Sequence, residues 1–260
     1  MDLPPQQVLP ENFNRSLGDP RQKYWYTDPL SELVVRGDSG EEAYLWRHFF
    51  WRRGGGTVLE MGGHDGYTKS ISMSLEQSLG WKAYLVEPGP RNFQAMQQNR
   101  PLASNFNAAV CHEQKMLHFV ELDTVGGIME FMPAGFVREF FPKEWVSKSG
   151  EKNWPLIEAS PEFTPVQCLP LSVLLRVAGL CHIDLFILDV QGAELDVLRS
   201  FDFRATSVDV WVIEVEHKDE DEREIRALLS RNGYQFHSKE ANNLWFRRMD
   251  FHPSSSPDGV

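Results

Sequence analysis

Thr57-Val58-Leu59-Glu60-Met61-Gly62-Gly63-His64-Asp65-Gly66 is the stretch that decides the fold. An apolar run ends in an acid and breaks into a glycine-rich turn, and Tyr67 to Leu79 then reads as a helix. Strand, tight turn and helix form the opening unit of a doubly wound α/β domain, and a nucleotide-like ligand settles at that turn. Glycine there lets the backbone approach a ligand that a Cβ would push away. A second anchor, Ala83-Tyr84-Leu85-Val86-Glu87-Pro88, is another buried-type strand ending in an acid. A carboxylate at that position accepts both hydroxyls of a ribose.

The glycine spacing narrows the ligand. A dinucleotide turn wants G-x-G-x-x-G. Here the order is Glu60-x-Gly62-Gly63-x-x-Gly66, with the middle glycine displaced, which argues against an NAD-dependent oxidoreductase. An acid two residues ahead of the glycines can meet an amino group. That suits S-adenosylmethionine, whose methionine end carries an ammonium, a carboxylate and a sulfonium.

Outward from this centre, the 260 residues suffice for one large α/β domain. Lys+Arg 26 against Asp+Glu 37 leaves a net charge of -11, the wrong sign for gripping a nucleic-acid backbone. No membrane partner is expected either, since no apolar run is long enough to span a bilayer. The N-terminal residues carry no basic start or apolar core of a signal peptide, so the expected compartment is the cytoplasm. Cys111, Cys168 and Cys181 are too few and too scattered for a disulfide framework and read as buried small hydrophobes.

Residues 1–22 read as a flexible arm, 23–249 as a single domain and 250–260 as a disordered tail. Ser39 to Trp51 reads as a helix, and Pro90 to Arg100 as the second crossover helix with proline in its first turn. Phe106 to Val110 reads as a third strand, where small residues would let an adenine ring lie flat beside Asn107 and Ala108. Residues 122–165 break the pattern and read as an irregular, aromatic-rich insertion, a candidate lid. Ile183 to Asp189 is apolar apart from Asp184 and its last residue, as a central parallel strand should be. Val208 to Val215 is the next strand, and Tyr234–His237 with Leu244–Arg247 read as a closing antiparallel pair. The expected fold is therefore α/β: a doubly wound, Rossmann-like, seven-stranded, mostly parallel sheet with an antiparallel end.

Asp189-Val190-Gln191-Gly192-Ala193-Glu194-Leu195-Asp196-Val197-Leu198 resembles the signature of the FkbM family of S-adenosylmethionine-dependent methyltransferases. The resemblance extends to Glu60–Gly66, Val86-Glu87-Pro88, Asn107-Ala108-Ala109 and Glu214-Val215-Glu216-His217, in the family's order. It implies a class I methyltransferase fold and, usually, transfer to an oxygen. It implies that Glu60, Gly62, His64, Gly66 and Thr68 surround the methionine end of the cofactor, that Glu87 holds the ribose, and that Asn107 and Ala108 border the adenine. It also sets Asp189 facing the transferring methyl. Two positions depart from the family pattern: His64 stands where asparagine is usual, and Gln191 where glutamate is usual.

Methyl transfer to a hydroxyl requires alignment and a base or a metal, because the hydroxyl has a high pKa. Asp189, Glu216 and His217 come from the carboxyl ends of neighbouring strands, which flank the crevice of an open α/β sheet. The expected chemistry has His217 or Asp189 taking the proton while Glu216 orients. Clustered carboxylates at this edge could alternatively hold Mg²⁺, although no ligand spacing demands it. The acceptor is expected to be a hydroxyl on a small molecule or a sugar. The alternative is a catalytically silent binding module that keeps the fold.

Overall fold

The computed structural model describes residues 14–16, 36–37, 39–122, 125–215 and 219–254, with Asn14 and Asp219 described by backbone alone. In chain order the elements begin with β1 (Asn14–Ser16), α1 (Glu41–His48), β2 (Thr57–Met61), α2 (Ile71–Leu79), β3 (Lys82–Glu87) and α3 (Pro90–Asn99). Short strands follow: β4 (Ser104–Asn107), β5 (Ala109–Val110), β6 (Met116–Val120) and β7 (Gly127–Ile128). Then come α4 (Ala134–Phe140), α5 (Trp154–Glu158), β8 (Phe163–Leu169), α6 (Leu171–Ala178), β9 (His182–Leu188) and α7 (Glu194–Arg199). The chain closes with β10 (Ser207–Glu214), α8 (Asp219–Arg231), β11 (Tyr234–Glu240) and β12 (Asn243–Arg248).

The main sheet runs β1-β4-β3-β2-β9-β10-β12-β11. Strands β4, β3, β2, β9 and β10 are parallel neighbours, and β12 and β11 close the sheet antiparallel. These are the seven strands expected, in the expected sense. An eighth, β1, pairs antiparallel with β4 at the other edge, so residues 14–16 of the expected loose arm belong to the sheet.

Both faces are covered because the central strands alternate between two apolar layers. Phe186 and Leu188 of β9 face the layer that holds Leu174, Leu198 and Leu229 from α6, α7 and α8. Leu185 and Ile187 face the layer that holds Leu45, Leu75 and Phe93 from α1, α2 and α3. Two buried faces explain why β9 is continuously apolar from Leu185 to Leu188.

The expected third strand, Phe106 to Val110, is divided. Asn107 pairs with Glu87 in the main sheet, whereas Ala109 pairs with Cys168 in a second, four-stranded sheet of order β5-β8-β6-β7. The insertion expected to be irregular carries β7, α4 and α5, with its own core of Met129, Met132, Phe136, Val137, Trp145 and Ile157.

Two further expectations are corrected. Cys111 and Cys168 are joined in a disulfide, with Cα atoms 5.8 Å apart and a separation of 57 positions in sequence. They are buried, as expected, but bonded, and the bond staples the base of the second sheet, whereas Cys181, also expected to be buried, is exposed. Of the tail expected to be disordered, Phe251 is buried and Ser254 accepts a hydrogen bond from the Trp51 N–H at 2.8 Å. Residues 255–260 lie outside the described residues. Among the described residues, no helix is long and apolar enough to cross a membrane.

Candidate active site

At the carboxyl ends of β2, β3 and β9, two cavities meet. The first is bordered by Gly62, Glu87, Ala108, Ala109, Phe119 and Val197, with a volume of about 660 Å³ counting space open to solvent. The second, about 1180 Å³ on the same measure, is bordered by Thr68, Phe136, Phe140, Asp189, Glu214 and Asn243. Met61, Gly62, His64, Asp189 and Gln191 line both, so these residues form the passage between them.

The glycine turn is built by close approach. Gly62 adopts φ +83, and a Cβ there would overlap the carbonyl oxygen of Asp189. The ends of β2 and β9 therefore touch, with the Asp189 N–H bonded to the Met61 carbonyl at 3.1 Å. His64 also has positive φ, at 46, which explains a family preference for asparagine: asparagine tolerates the left-handed region better than most residues. The His64 N–H donates to Glu87 Oε2 at 3.0 Å.

Glu87 is 3% exposed. Its carboxylate takes three donors: His64 N–H, Gly89 N–H at 2.8 Å and the Asn92 side-chain amide at 3.4 Å. Burial pushes its pKa up to about 8 despite these hydrogen bonds, and the neighbouring Glu121 adds to the rise. A carboxylate has roughly four acceptor positions, so acceptor capacity remains beyond those three bonds.

Glu60 is placed otherwise than expected. Its oxygens accept from Ser70 Oγ at 2.6 Å, Ser72 Oγ at 2.5 Å and Ile71 N–H at 3.0 Å, so it caps the start of α2. It borders the second cavity and not the first. Behind it, buried Arg100 bonds the Gly66 carbonyl, Ser70, Ser72 and Glu76. Gly66 borders neither cavity: it adopts φ +72 and packs against Arg100 and Met96. Thr68 precedes α2 instead of lying in a helix. Asp65 captures the N–H groups of Tyr67 and Thr68 and the Thr68 hydroxyl, which delays the helix to Ile71.

Ala108 borders the first cavity as expected, but Asn107 does not. The Asn107 amide donates to the Glu87 and Pro88 carbonyls at 2.9 and 3.0 Å, so it braces the loop and offers no donor to an adenine edge. Asp189 stands in the passage, with Gln191 donating to its Oδ1 at 2.9 Å. Gln191 also has positive φ, at 53. Glu194 accepts from Val190 and Gly192 N–H, so it terminates the loop. Glu216 and His217 lie outside the described residues. Gln191, Asn92 and Phe119 were not assigned to the site from sequence. Gln191 alone carried a signal, its departure from the family pattern.

Among the described residues, the group of metal-ligating side chains close enough to share an ion is His182, Asp184 and Asp209. It sits at the amino ends of β9 and β10, away from both cavities, where Arg53 pairs with Asp184 and Arg248 with Asp209. It is a balanced charge network and offers no support for Mg²⁺ beside Asp189.

A sequence model of the Methyltransferase FkbM domain matches residues 60–236. Solved structures of similar shape include methyltransferase FkbM from Methylobacillus flagellatus KT, at 12% identity and TM-score 0.44, covering 76% of this chain and 45% of that one. The precorrin-6y C5,15-methyltransferase of Geobacter metallireducens GS-15 has 10% identity and TM-score 0.39, covering 88% and 95%. Fibrillarin of Aeropyrum pernix, solved with natively bound S-adenosyl-L-methionine, has 12% identity and TM-score 0.40, covering 75% and 66%. The chain thus spans under half the length of the first of these. No curated protein matches the sequence.

Proposed function

The chain belongs to the FkbM methyltransferase family, and from that premise we propose that it methylates a hydroxyl on a small molecule or sugar, using S-adenosylmethionine. The observation that carries this reading is the pair of cavities joined at Asp189. The first fits an adenosine: a buried acid with acceptor capacity left for a ribose, beside a wall of Ala108 and Ala109 that leaves room for a flat ring. A side chain at Gly62 would close the approach to the passage.

The cofactor supplies an activated methyl on a sulfonium. The chain supplies alignment, the larger share of what such a displacement needs. Glu87 anchors the ribose, and the glycine turn beside His64 takes the methionine end. The second cavity receives the acceptor. Its carboxylates, Glu41, Glu60, Asp189 and Glu214, outnumber its cation Lys69, which disfavours an anionic acceptor. Asp189 accepts the hydroxyl proton, and Gln191 holds it in place. A glutamate at 191 would need a shared proton to make that bond, whereas the amide donates permanently. The departure at 191 is thus compatible with an active enzyme and lends no weight to a silent binding module.

Calorimetric titration tests the reading. S-adenosylmethionine should bind with a stoichiometry of one, Glu87→Ala should abolish binding, and NAD should not bind. A folded sample that ignores S-adenosylmethionine would overturn it. Once binding is established, release of S-adenosylhomocysteine on a panel of neutral hydroxyl compounds identifies the acceptor.

A further inference from the structure

Against the loop after β3 lies a second acid that the reaction does not use. Glu121 follows β6 in the small sheet and is itself buried. Its oxygens accept from Arg91 N–H at 3.0 Å, Asn92 N–H at 3.4 Å and the Arg91 guanidinium. It therefore caps α3 from across the cleft. Asn92, whose backbone it takes, gives its side-chain amide to Glu87. Between the two acids lies Gly89. The point where its Cβ would stand is 2.8 Å from Glu87 Oε1, 2.9 Å from Glu121 Oε1 and 2.7 Å from the Phe119 ring. Three groups from two sheets converge on a position that only hydrogen can occupy.

We infer that Glu121 is a positioning residue of the ribose site: it fixes the amino end of α3 and, through its charge, tunes how readily a ribose displaces the proton that burial lends to Glu87. The inference rests on the methyltransferase reading, because it takes Glu87 as the ribose acid. The groups facing Glu87 are His64 of the glycine turn, to which Asp65 is paired, Asn92 of α3, Glu121 of the small sheet, to which Arg91 is paired, and Asp189 across the first cavity. Glu121 is the like charge whose repulsion Glu87 registers, and Glu121 is itself ion-paired with Arg91, which is 68% exposed. A ribose hydroxyl donating to Glu87 favours the ionised form, so the Glu87 proton leaves to bulk water when the ribose arrives.

The test is titration of the full chain with 5′-methylthioadenosine, which carries adenine and ribose and has no group titrating near neutral pH. Calorimetry between about pH 6 and pH 9, in two buffers of different ionisation enthalpy, reads affinity and proton release together. The wild-type chain should bind more tightly as pH rises and release up to one proton. Glu121→Gln keeps an oxygen for the Arg91 N–H but removes the charge. It should move the midpoint down by about half a pH unit, raising affinity at pH 6 about threefold. Arg91→Ala, a substitution at an exposed side chain, should move the midpoint upward. A uniform loss of affinity in Glu121→Gln with an unmoved midpoint, or pH-independent binding by the wild-type chain, overturns this inference alone. No binding at any pH overturns the methyltransferase reading with it.

Discussion

Replacing Arg100 with methionine should cost the protein about 3–5 kcal/mol. Arg100 is 2% exposed and bonds Glu76 Oε2 at 2.5 Å, Ser70 Oγ at 2.9 Å, the Gly66 carbonyl at 3.1 Å and Ser72 Oγ at 3.2 Å. Methionine fills much of the volume but leaves Glu76, also buried, as an uncompensated carboxylate. Breaking one side of a buried pair carries the cost, whereas removing both sides together is often nearly neutral. The double variant Arg100→Met with Glu76→Leu should therefore recover most of the loss. Urea unfolding of the four proteins of that cycle gives the coupling energy, and in thermal melting the single variant should fall by roughly 10 °C. The glycine turn should suffer beyond stability, because Ser70 and Ser72 connect Arg100 to Glu60 at the start of α2. Cofactor affinity should not return in the double variant even though stability does. A single variant costing under about 1 kcal/mol, or a double variant no more stable than the single, would refute the reasoning.

Other perturbations follow from the same geometry. Glu87 titrates near 8 when folded against about 4.5 unfolded. Its contribution is thus full below pH 4.5 and is lost as pH rises toward 8, by up to about 5 kcal/mol. Melting temperature should fall over that range, less steeply in Glu87→Gln, and a parallel slope in that variant would count against the assignment. Removing the disulfide with Cys111→Ala and Cys168→Ala frees a 57-residue separation, an expected loss of about 4 kcal/mol by loop-closure entropy. Denaturant curves with and without reductant should show the same difference in the wild-type chain and none in the variant. Gly62→Ala should lower S-adenosylmethionine affinity more than about 100-fold, because its Cβ collides with backbone at Asp189 and its φ is positive, a combination typical of severe substitutions. Calorimetric affinity equal to wild type would contradict it.

Much of the main sheet was legible because its code is local. An apolar run covered on both faces identifies β9, and the displaced glycines mark the turn after β2. What escaped depended on distant partners. Phe106 to Val110 reads as one strand, and only β8, nearly sixty residues on, divides it by taking Ala109 and Val110 into another sheet. Strand β8 was itself hidden by Pro165. His118, opposite, donates its N–H to Glu130 and accepts at its carbonyl from the Met129 N–H, so no ladder bond is asked of the proline from that side. The Cys111–Cys168 pairing is invisible for the same reason of distance. In the site, Glu87 was readable from its place at a strand end. Glu60 was not, because an acid before a glycine turn can meet a ligand or cap a helix. Asp65 decides between them by postponing the helix until Ile71 lies over Glu60.

The break at Ala108 has a mechanical consequence. Asn107 is hydrogen-bonded into the large sheet and Ala109 into the small one, so Ala108 is where the backbone passes from one network of paired strands to the other. A ligand resting on Ala108 spans that seam and fastens one network to the other. The small sheet would then act as a reporter of occupancy: its amide protons, including those far from any ligand atom, open to solvent more rarely when the seam is filled.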